Sequence, residues 1–220
     1  YTRPELIRAY RKKLGVDIIP VWGSTETTGI AIANRFGAGM TPGSIGRPCL
    51  SYSVKIVDED GAECATGEVG EMAFKGPGVV NAYYGDVCAD KHPLMDGWYY
   101  SGDLGKKDAR GNYYFVERKT VMMKVAGLKV YPSEIEITLL ENHDVREVSV
   151  IAVKDNLRGE VPKAVIALKG GSTVTEKDIL RFCKGRLAHY KVPRIVEFRD
   201  ELPKTGSGII NKKALQRECA

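Results

Sequence analysis

Several patterns that would assign this sequence to a class of protein are missing from it. No run of about 18 apolar residues is present, so a membrane-spanning helix is not expected. The five cysteines never occur in CxxC spacing, which argues against a zinc site, and their odd number argues against a disulfide framework. No dense basic block interleaved with aromatic residues is found, so nucleic acid is not an expected partner. These absences predict a soluble protein, and the scattered cysteines favour a reducing cytoplasm.

The composition is that of an ordinary globular protein with room for two small domains. The 220 residues are 43% hydrophobic, with a net charge of +5. Residues 1–119 hold 15 Lys/Arg and 15 Asp/Glu, whereas residues 120–220 hold 18 and 13, so the positive excess lies in the second half. An excess this small is typical of a solvated face, although it would also suit an anionic ligand such as a nucleotide or coenzyme A.

Hydrophobic periodicity predicts an α+β chain with a β-rich middle. Residues 3–14, RPELIRAYRKKL, have helical spacing and end at a glycine, and VDIIPVWG at 16–23 reads as a buried strand. Short alternating runs between turn signals over residues 43–117 predict a small β-barrel or sandwich. Residues 120–220 combine apolar strands with two helical segments, YPSEIEITLLENH, where Pro132 suits a helix start, and the amphipathic VTEKDILRFCKGRL, and predict a compact α+β domain.

The first candidate site is the polar loop GSTETTG, residues 23–29. Thr25 and Thr28 offer hydroxyl donors, and Glu26 is a hard oxygen ligand of the kind that binds Mg²⁺ together with substrate phosphates. The alternative is an ordinary turn rich in serine and threonine.

The second candidate is Asp103 in GWYYSGDLGKKD. A carboxylate after a glycine at the end of an aromatic strand can accept two hydroxyl hydrogen bonds through its two oxygens, as recognition of a ribose requires. The alternative is that Asp103 caps the predicted turn.

The third candidate is VERKTVMMKVAGLKVYPSEIE. Arg118, Lys119, Lys124 and Lys129 surround Gly127, whose missing side chain would let a ligand pass closely. A hairpin whose lysines protect a sheet edge is the alternative.

The fourth candidate is the loop LPKTGSGIINKKAL, residues 202–215, with two glycines around a serine between cationic flanks. It lacks the G-x-x-x-x-G-K-[ST] spacing and the strand–helix context of a Walker phosphate loop.

In order and spacing, these four segments together resemble the C-terminal part of the adenylate-forming superfamily, which includes acyl- and aryl-CoA synthetases, firefly luciferase and the adenylation domains of peptide synthetases. The run YYSGDLGKKDARGNYYFVERKTVMMKVAGLKVYPSEIE is the most specific part. The resemblance implies a β-rich, small distorted barrel at the end of the large domain within residues 1–119. It also implies a mobile C-terminal lid domain over residues 120–220, with a hinge near 118–121.

The same resemblance implies a two-step reaction. A carboxylate attacks the α-phosphate of ATP to give an acyl-adenylate and pyrophosphate, and the thiol of coenzyme A then displaces AMP. The implied ligands are ATP or AMP, Mg²⁺, coenzyme A and a carboxylic acid.

Roles carry over to matching positions in the first half. Trp22 is expected against the adenine, Gly23 near the acyl pocket, Thr25 at the phosphate and Glu26 on the Mg²⁺.

Asp103 and Arg118 match the pair that grips the ribose hydroxyls. Thr120 stands at the hinge position, where an aspartate or lysine is usual, and Lys124 lies in the loop that enters the active site for thioester formation. Gly127 and Lys129 are expected beside coenzyme A.

The family's adenylation lysine follows the glycine in P-x-x-x-x-G-K, and here that position is Ile209. The family's phosphate loop, which lies well upstream of the T-E motif, is also missing. We therefore expect a fragment of an acyl-CoA synthetase that is inactive in adenylation, with a medium- or long-chain fatty acid as substrate of the full-length enzyme. An aryl- or acetate-type CoA ligase and a non-catalytic derivative that binds a nucleotide or partner remain alternatives.

Overall fold

The computed structural model describes residues 4–36, 40–83 and 94–218. The chain divides into two compact units, Tyr1–Lys119 and Thr120–Ala220, called here the first and second unit. Cys88 and Cys219 lie outside the described residues. Among the described residues, Cys49, Cys64 and Cys183 form no disulfide.

The described part of the first unit holds one helix and eight strands. They are α1 (Pro4–Leu14), β1 (Val21–Ser24), β2 (Gly29–Ala33), β3 (Arg47–Pro48), β4 (Ser53–Val57), β5 (Gly70–Lys75), β6 (Leu94–Met95), β7 (Trp98–Lys107) and β8 (Tyr113–Arg118). The helix predicted at residues 3–14 is confirmed. It ends at Gly15, whose N–H donates to the Arg11 carbonyl and whose φ of +65° suits a glycine.

The strand predicted over residues 16–23 is largely wrong, because only its last part lies in β1. Pro20 has no N–H to give to a strand ladder. Its carbonyl instead accepts hydrogen bonds from the backbone N–H of Asn34 and from Asn34 Nδ2, at 3.3 and 3.2 Å. The segment before β1 is thus held by the backbone and side chain of Asn34, the residue that follows β2, rather than by a strand ladder of its own.

The described strands of the first unit form two antiparallel sheets. The smaller has the order β1-β2-β3, and the larger runs β4-β5-β7-β6, with β8 also paired to β7. No ladder among the described strands joins β4 to β8, so closure of this sheet into a barrel is not seen there. The side chains of the unit's core include Trp22, Ile32, Met72, Phe74 and Tyr113.

The described part of the second unit contains three helices and five strands. They are β9 (Met123–Val125), β10 (Leu128–Val130), α2 (Pro132–Leu140), β11 (Val145–Asp155), β12 (Gly159–Leu168), α3 (Glu176–Lys184), β13 (Ile195–Phe198) and α4 (Lys212–Glu218). The sheet runs β10-β9-β12-β11, and β13 lies parallel to β12. Both predicted helices are confirmed, since α2 begins at Pro132 and Thr175 caps α3 by accepting a hydrogen bond from the Asp178 N–H.

The core of the second unit lies between its sheet and its helices. Ile135 and Leu139 of α2 and Ile179 and Cys183 of α3 are fully buried there. Leu215 of α4 packs in a separate small cluster. The α+β class is therefore confirmed. None of the helices in the described ranges is both long and apolar enough to cross a membrane.

Candidate functional site

Gly23 lets β1 and β2 approach each other closely. A Cβ added at Gly23 would lie 2.2 Å from the carbonyl oxygen of Gly29, far inside van der Waals contact. The register of the pair shifts between Trp22 and Gly23. Only glycine fits this position, which brings the end of β1 tightly into the turn that follows.

The turn between β1 and β2 is held by Thr27. Its side chain is fully buried. Its Oγ1 accepts a hydrogen bond from the Ser24 N–H at 3.0 Å and donates one to the Gly29 carbonyl at 2.8 Å. The prediction that Thr28 offers a free hydroxyl is wrong, because Thr28 Oγ1 donates to the Gly78 carbonyl at 2.6 Å. Thr25 is exposed, and its hydroxyl has no hydrogen-bond partner among the described residues.

Glu26 sits in the same turn and stays charged near neutral pH. Tyr83 donates its hydroxyl to Glu26 Oε1 at 2.7 Å, and this hydrogen bond is the main cause that lowers the pKa of Glu26 below its usual 4.5. No group of three or more His, Cys, Asp or Glu side chains that could hold a metal occurs in the described ranges. Glu26 thus fits Mg²⁺ only as one carboxylate acting with phosphate oxygens, which is the common way proteins bind this ion.

Asp103 lies inside strand β7 rather than at a turn, which corrects the prediction. Its neighbours form a bulge. On one side of the bulge Glu71 pairs with Leu104, and on the other Ala73 pairs with Tyr100. Residues 101–103 of β7 therefore lie opposite a single residue of β5, Met72. Such an insertion re-aims side chains, and here it turns the Asp103 carboxylate inward.

The Asp103 carboxylate is almost fully buried, with 4% of the residue exposed. Trp22 Nε1 donates to Oδ2 at 2.8 Å, and Arg118 Nε lies 2.7 Å from Oδ1. The Arg118 Nε–H is not aligned with Oδ1, so this buried oxygen is held by the ion pair rather than by an aligned hydrogen bond. Burial raises the pKa of Asp103 above 3.8, opposed by the Trp22 hydrogen bond and then by the Arg118 charge.

Asp103 and Arg118 meet because they pair directly across strands β7 and β8. Both line a cavity of about 250 Å³ in the first unit. Its full lining is Pro20, Val21, Trp22, Gly23, Gly43, Ser44, Ile45, Asp103, Phe115 and Arg118. The sequence-predicted residues Trp22, Gly23, Asp103 and Arg118 are thus brought together, although they come from three separate strands.

The Trp22 ring is fixed by more than its hydrogen bond. It stacks on Phe74 with ring centroids 3.9 Å apart and planes 3° from parallel. Only 8% of Trp22 is exposed, so only the ring surface away from Phe74 can meet a ligand. Its predicted position against an adenine stays a prediction.

Sequence reasoning missed the residues that support Asp103. Ser101 Oγ accepts from the Asp103 N–H at 3.1 Å and donates to the Met72 carbonyl at 2.8 Å. Glu71 accepts from the Gly102 N–H at 2.9 Å and from Lys119 Nζ at 2.6 Å. No local sequence pattern predicts the contact between Glu71 and Gly102, because the two residues are 31 positions apart.

The second unit presents the predicted thioester loop as a tight hairpin. Strands β9 and β10 are joined by Ala126 and Gly127, whose φ values of 48° and 83° give the left-handed turn that favours glycine. Lys124 and Lys129 are exposed and directly opposite each other in the ladder.

The hairpin is anchored to the turn between β11 and β12. Glu160 Oε2 accepts from the Lys124 backbone N–H at 2.9 Å, and the Arg158 carbonyl accepts from the Ala126 N–H at 2.9 Å. Glu160 was not among the predicted site residues. Thr120, the predicted hinge residue, is exposed in a short 3₁₀ turn at Lys119–Val121 and is the first residue of the second unit.

Ile209 lies in a narrow loop closed on itself. The Thr205 N–H donates to the Ile209 carbonyl at 2.7 Å, and Lys204 and Ile210 form an isolated antiparallel bridge. The Ile209 side chain is 67% exposed, which is unusual for isoleucine. The loop thus presents residue 209 outward.

Two of the lysines near Ile209 are engaged elsewhere. Lys204 Nζ lies 2.6 Å from Glu147 Oε1, and Lys212 Nζ lies 2.8 Å from Glu136 Oε1. Both pairs attach the loop and the start of α4 to the body of the second unit. Neither lysine can replace a side chain at position 209 without breaking its ion pair.

Comparison with known proteins identifies the family. The sequence model described as AMP-binding enzyme matches residues 2–84, and the model described as AMP-binding enzyme C-terminal domain matches residues 134–208. The chain belongs to the AMP-binding, adenylate-forming enzyme family. The resemblance drawn from the motifs is therefore confirmed.

The curated proteins that this chain resembles include CoA ligases. Indoleacetate–CoA ligase of Aromatoleum aromaticum is 39% identical over 216 residues, covering 98% of this chain and 42% of the relative. Long-chain-fatty-acid–CoA ligase of Bacillus subtilis is 36% identical over 215 residues, covering 97% of this chain and 38% of the relative. The chain thus spans about two fifths of the length of the curated relatives it matches.

Solved structures of the family agree with this fold. ATP-bound MatB from Rhodopseudomonas palustris superimposes with a TM-score of 0.91 at 31% identity, covering 98% of this chain and 43% of that one. The anthranilate CoA ligase AuaEII in complex with anthranoyl-AMP gives a TM-score of 0.84 at 34% identity, covering 99% of this chain and 42% of that one.

Proposed function

We propose that this chain takes part in the AMP-forming ligation of a carboxylic acid to coenzyme A, and that its first unit holds the ribose of the adenylate. The reaction consumes the acid, ATP and coenzyme A and gives acyl-CoA, AMP and pyrophosphate. The observation that carries the proposal is the buried Asp103 carboxylate, held by Trp22 and next to Arg118, with one oxygen that has no hydrogen bond. Beside its ion pair with Arg118, Oδ1 has the capacity to accept a further hydrogen bond, and a ribose hydroxyl would supply that donor.

The other residues of the first unit suit the phosphate end of such a ligand. Thr25 has an exposed hydroxyl one residue before Glu26, whose charged carboxylate is oriented by Tyr83. Mg²⁺ bound with Glu26 and phosphate oxygens would neutralise negative charge on the phosphates. Thr25 would donate to a phosphate oxygen, and Glu26 would fix the position of the ion.

The β9–β10 hairpin of the second unit suits the thioester-forming step. Lys124 and Lys129 place two exposed cations opposite each other, and a Cβ added at Gly127 would meet no atom within 4 Å. Such a surface would attract the phosphates of coenzyme A and leave room for its pantetheine arm.

Adenylation is the step that this chain is proposed to perform poorly. In the family a lysine at position 209 would donate to oxygens that gain charge in the transition state. Loss of one such preorganised donor typically costs about 3–4 kcal/mol, or roughly 10²–10³ in rate. The 220-residue chain alone is expected to give no ATP–pyrophosphate exchange.

A pair of chimeras tests the role of position 209. The chain would replace the matching 215 residues of the Bacillus subtilis fatty-acid ligase, with either Ile209 or Ile209→Lys. We expect the lysine chimera to exchange pyrophosphate roughly 10²–10³ faster, whereas Ile137→Lys, another exposed isoleucine, brings no gain. No gain at position 209 would favour the alternative of a derivative that only binds a nucleotide or partner.

For the acid, we propose a medium- or long-chain fatty acid. The fatty-acid ligases of Bacillus subtilis and Escherichia coli, each 36% identical over more than 200 residues, support this choice. An aryl acid is the second candidate, because the indoleacetate ligase is 39% identical over 216 residues. The chimera carries the upstream residues of the Bacillus subtilis ligase, so its choice of acid does not report on this protein. A panel of fatty and aryl acids tested on the full-length parent would separate the two candidates.

Binding of AMP tests the central proposal. Calorimetric titration of the chain with AMP should give a saturable interaction that Asp103→Asn weakens at least tenfold, because the ribose hydrogen bond loses its charged acceptor. Asp108→Asn removes the same charge from an exposed turn outside the cavity and should leave AMP affinity unchanged. Equal affinities for the parent and Asp103→Asn would contradict the proposal.

A further inference from the structure

The β9–β10 hairpin is joined to its sheet by a very short ladder. In the described second unit, the ladder between β9 and β12 is a single pair, Val125 with Gly159. By contrast, β11 pairs with β12 along its whole length, from Val145 to Asp155. An isolated two-stranded hairpin is at best marginally stable in water, so this hairpin needs further contacts to keep one orientation.

Two hydrogen bonds, one on each side of that single pair, supply these contacts. The Ala126 N–H donates to the Arg158 carbonyl at 2.9 Å, and the Lys124 N–H donates to Glu160 Oε2 at 2.9 Å. At Lys124 a side-chain carboxylate therefore accepts the hydrogen bond that a longer ladder would give to a backbone carbonyl. A charged acceptor makes the stronger bond of the two.

The turn that carries Arg158 and Glu160 is itself fixed. Asp155 Oδ1 accepts hydrogen bonds from the backbone N–H groups of Leu157 and Arg158, at 3.0 and 2.9 Å. This closes the turn through a side chain, as aspartates in turns commonly do. Gly159 follows with a φ of +76°, which a glycine adopts without strain. Glu160 therefore projects from a rigid support.

The hairpin has a charge arrangement that weakens its own ladder. Lys124 and Lys129 are exposed and directly opposite each other, and like charges at opposite positions destabilise a strand pair. A shift of about 1 Å in a group that positions substrates can lower a rate by about a hundredfold. The hydrogen bond from Lys124 to Glu160 opposes such a shift at the residue expected to enter the active site.

We propose that Glu160 is a positioning residue for thioester formation, because its carboxylate holds the Lys124 backbone and so keeps the β9–β10 hairpin in one orientation. In that step the sulfur of coenzyme A forms a bond to the acyl carbon of the acyl-adenylate. The bond from this carbon to the phosphate oxygen breaks, AMP leaves with the electron pair, and the thiol proton is released to solvent. Glu160 acts through Lys124, and the inference rests on the proposed function.

A single-turnover assay of the second step alone tests this role. The chimera with the Bacillus subtilis fatty-acid ligase would be given palmitoyl-AMP and coenzyme A, so that adenylation and residue 209 are not needed. Glu160→Ala should lower the maximal rate of palmitoyl-CoA formation about tenfold to a hundredfold, whereas the half-saturating concentration of coenzyme A should change by less than about threefold. Glu160→Gln still offers an oxygen to the Lys124 N–H and should lose less.

Two controls separate positioning from folding. Glu201→Ala removes an exposed carboxylate of the same unit and should keep the parent's rate. Hydrogen exchange of the α2 amides, which lie in the core of the second unit, should be unchanged in both Glu160 variants. A slower rate that accompanies faster exchange in α2 would mean loss of folding and would overturn the inference.

The remaining outcomes are equally distinct. An unchanged maximal rate in Glu160→Ala, or a rise in the half-saturating concentration of coenzyme A alone, would overturn the inference, since only binding would then depend on Glu160. Equal losses in the alanine and glutamine variants would also overturn it. If the chimera with Glu160 intact forms no palmitoyl-CoA from palmitoyl-AMP, the proposed function is contradicted, and the inference with it.

Discussion

Replacing Asp103 by alanine and by asparagine separates its structural role from its binding role. Alanine leaves Trp22 Nε1 buried without an acceptor, which typically costs about 1–3 kcal/mol. The lost ion pair adds little, because Arg118 is 65% exposed and exposed pairs contribute about 1 kcal/mol at most. Asparagine keeps an oxygen for the indole and removes the cost of a buried charge, so its stability should stay within about 1 kcal/mol of the parent.

Urea unfolding followed by tryptophan fluorescence measures this difference. Both tryptophans lie in the first unit, so the signal reports on the unit that contains Asp103. With a slope of about 2 kcal/mol per molar urea, Asp103→Ala should lower the midpoint by roughly 0.5–1.5 M. Both variants should lose AMP binding. Equal destabilisation by alanine and asparagine would refute the idea that the indole hydrogen bond is what alanine removes.

Three further predictions follow from the geometry. Because burial raises the pKa of Asp103, AMP binding should weaken as the pH falls through that raised value. The contribution of Asp103 to the stability of the first unit should instead rise there, because its raised pKa lets the folded state take up the proton at a higher pH than the unfolded chain does. The lowered pKa of Glu26 acts in the opposite direction, so the parent is compared with Asp103→Asn by AMP titration and urea unfolding from about pH 7 to about pH 4. Glu160→Ala should speed hydrogen exchange of the Lys124 amide about tenfold, and Glu160→Gln by less, since glutamine still accepts. Gly23→Ala should prevent normal folding of the first unit, because its Cβ would lie 2.2 Å from a carbonyl oxygen. Gly127→Ala should lower the free energy of unfolding by only about 1–2 kcal/mol, because its φ of +83° is strained for alanine, and thermal unfolding of the two variants measures the difference.

Local signals predicted the elements that depend on local physics. Helix α1 was predicted because its apolar spacing is followed by Gly15, and α2 because Pro132 suits a first helical position. The strand predicted over residues 16–23 was largely wrong, and the sequence contains the reason, because Pro20 has no N–H to donate to a strand ladder. Elements whose signals lie within one or two turns of chain were thus accessible without the structure.

The candidate site residues could be proposed from their motif, whereas their contacts could not. Trp22 and Asp103 are 81 positions apart, and nothing in either segment indicates that an indole N–H meets a carboxylate. Likewise, three threonines of one loop look alike in sequence. The structure assigns Thr27 to the turn and Thr28 to the Gly78 carbonyl, and leaves Thr25 exposed, because only the folded chain decides which carbonyl each hydroxyl meets.

A crystal structure of the 220-residue chain with AMP would decide whether Asp103 holds the ribose of the adenylate. We expect AMP in the cavity lined by Trp22, Asp103 and Arg118, with a ribose hydroxyl within about 2.6–3.2 Å of the Asp103 carboxylate. AMP bound elsewhere on the chain, or AMP in this cavity with its ribose out of hydrogen-bond reach of Asp103, would contradict this expectation.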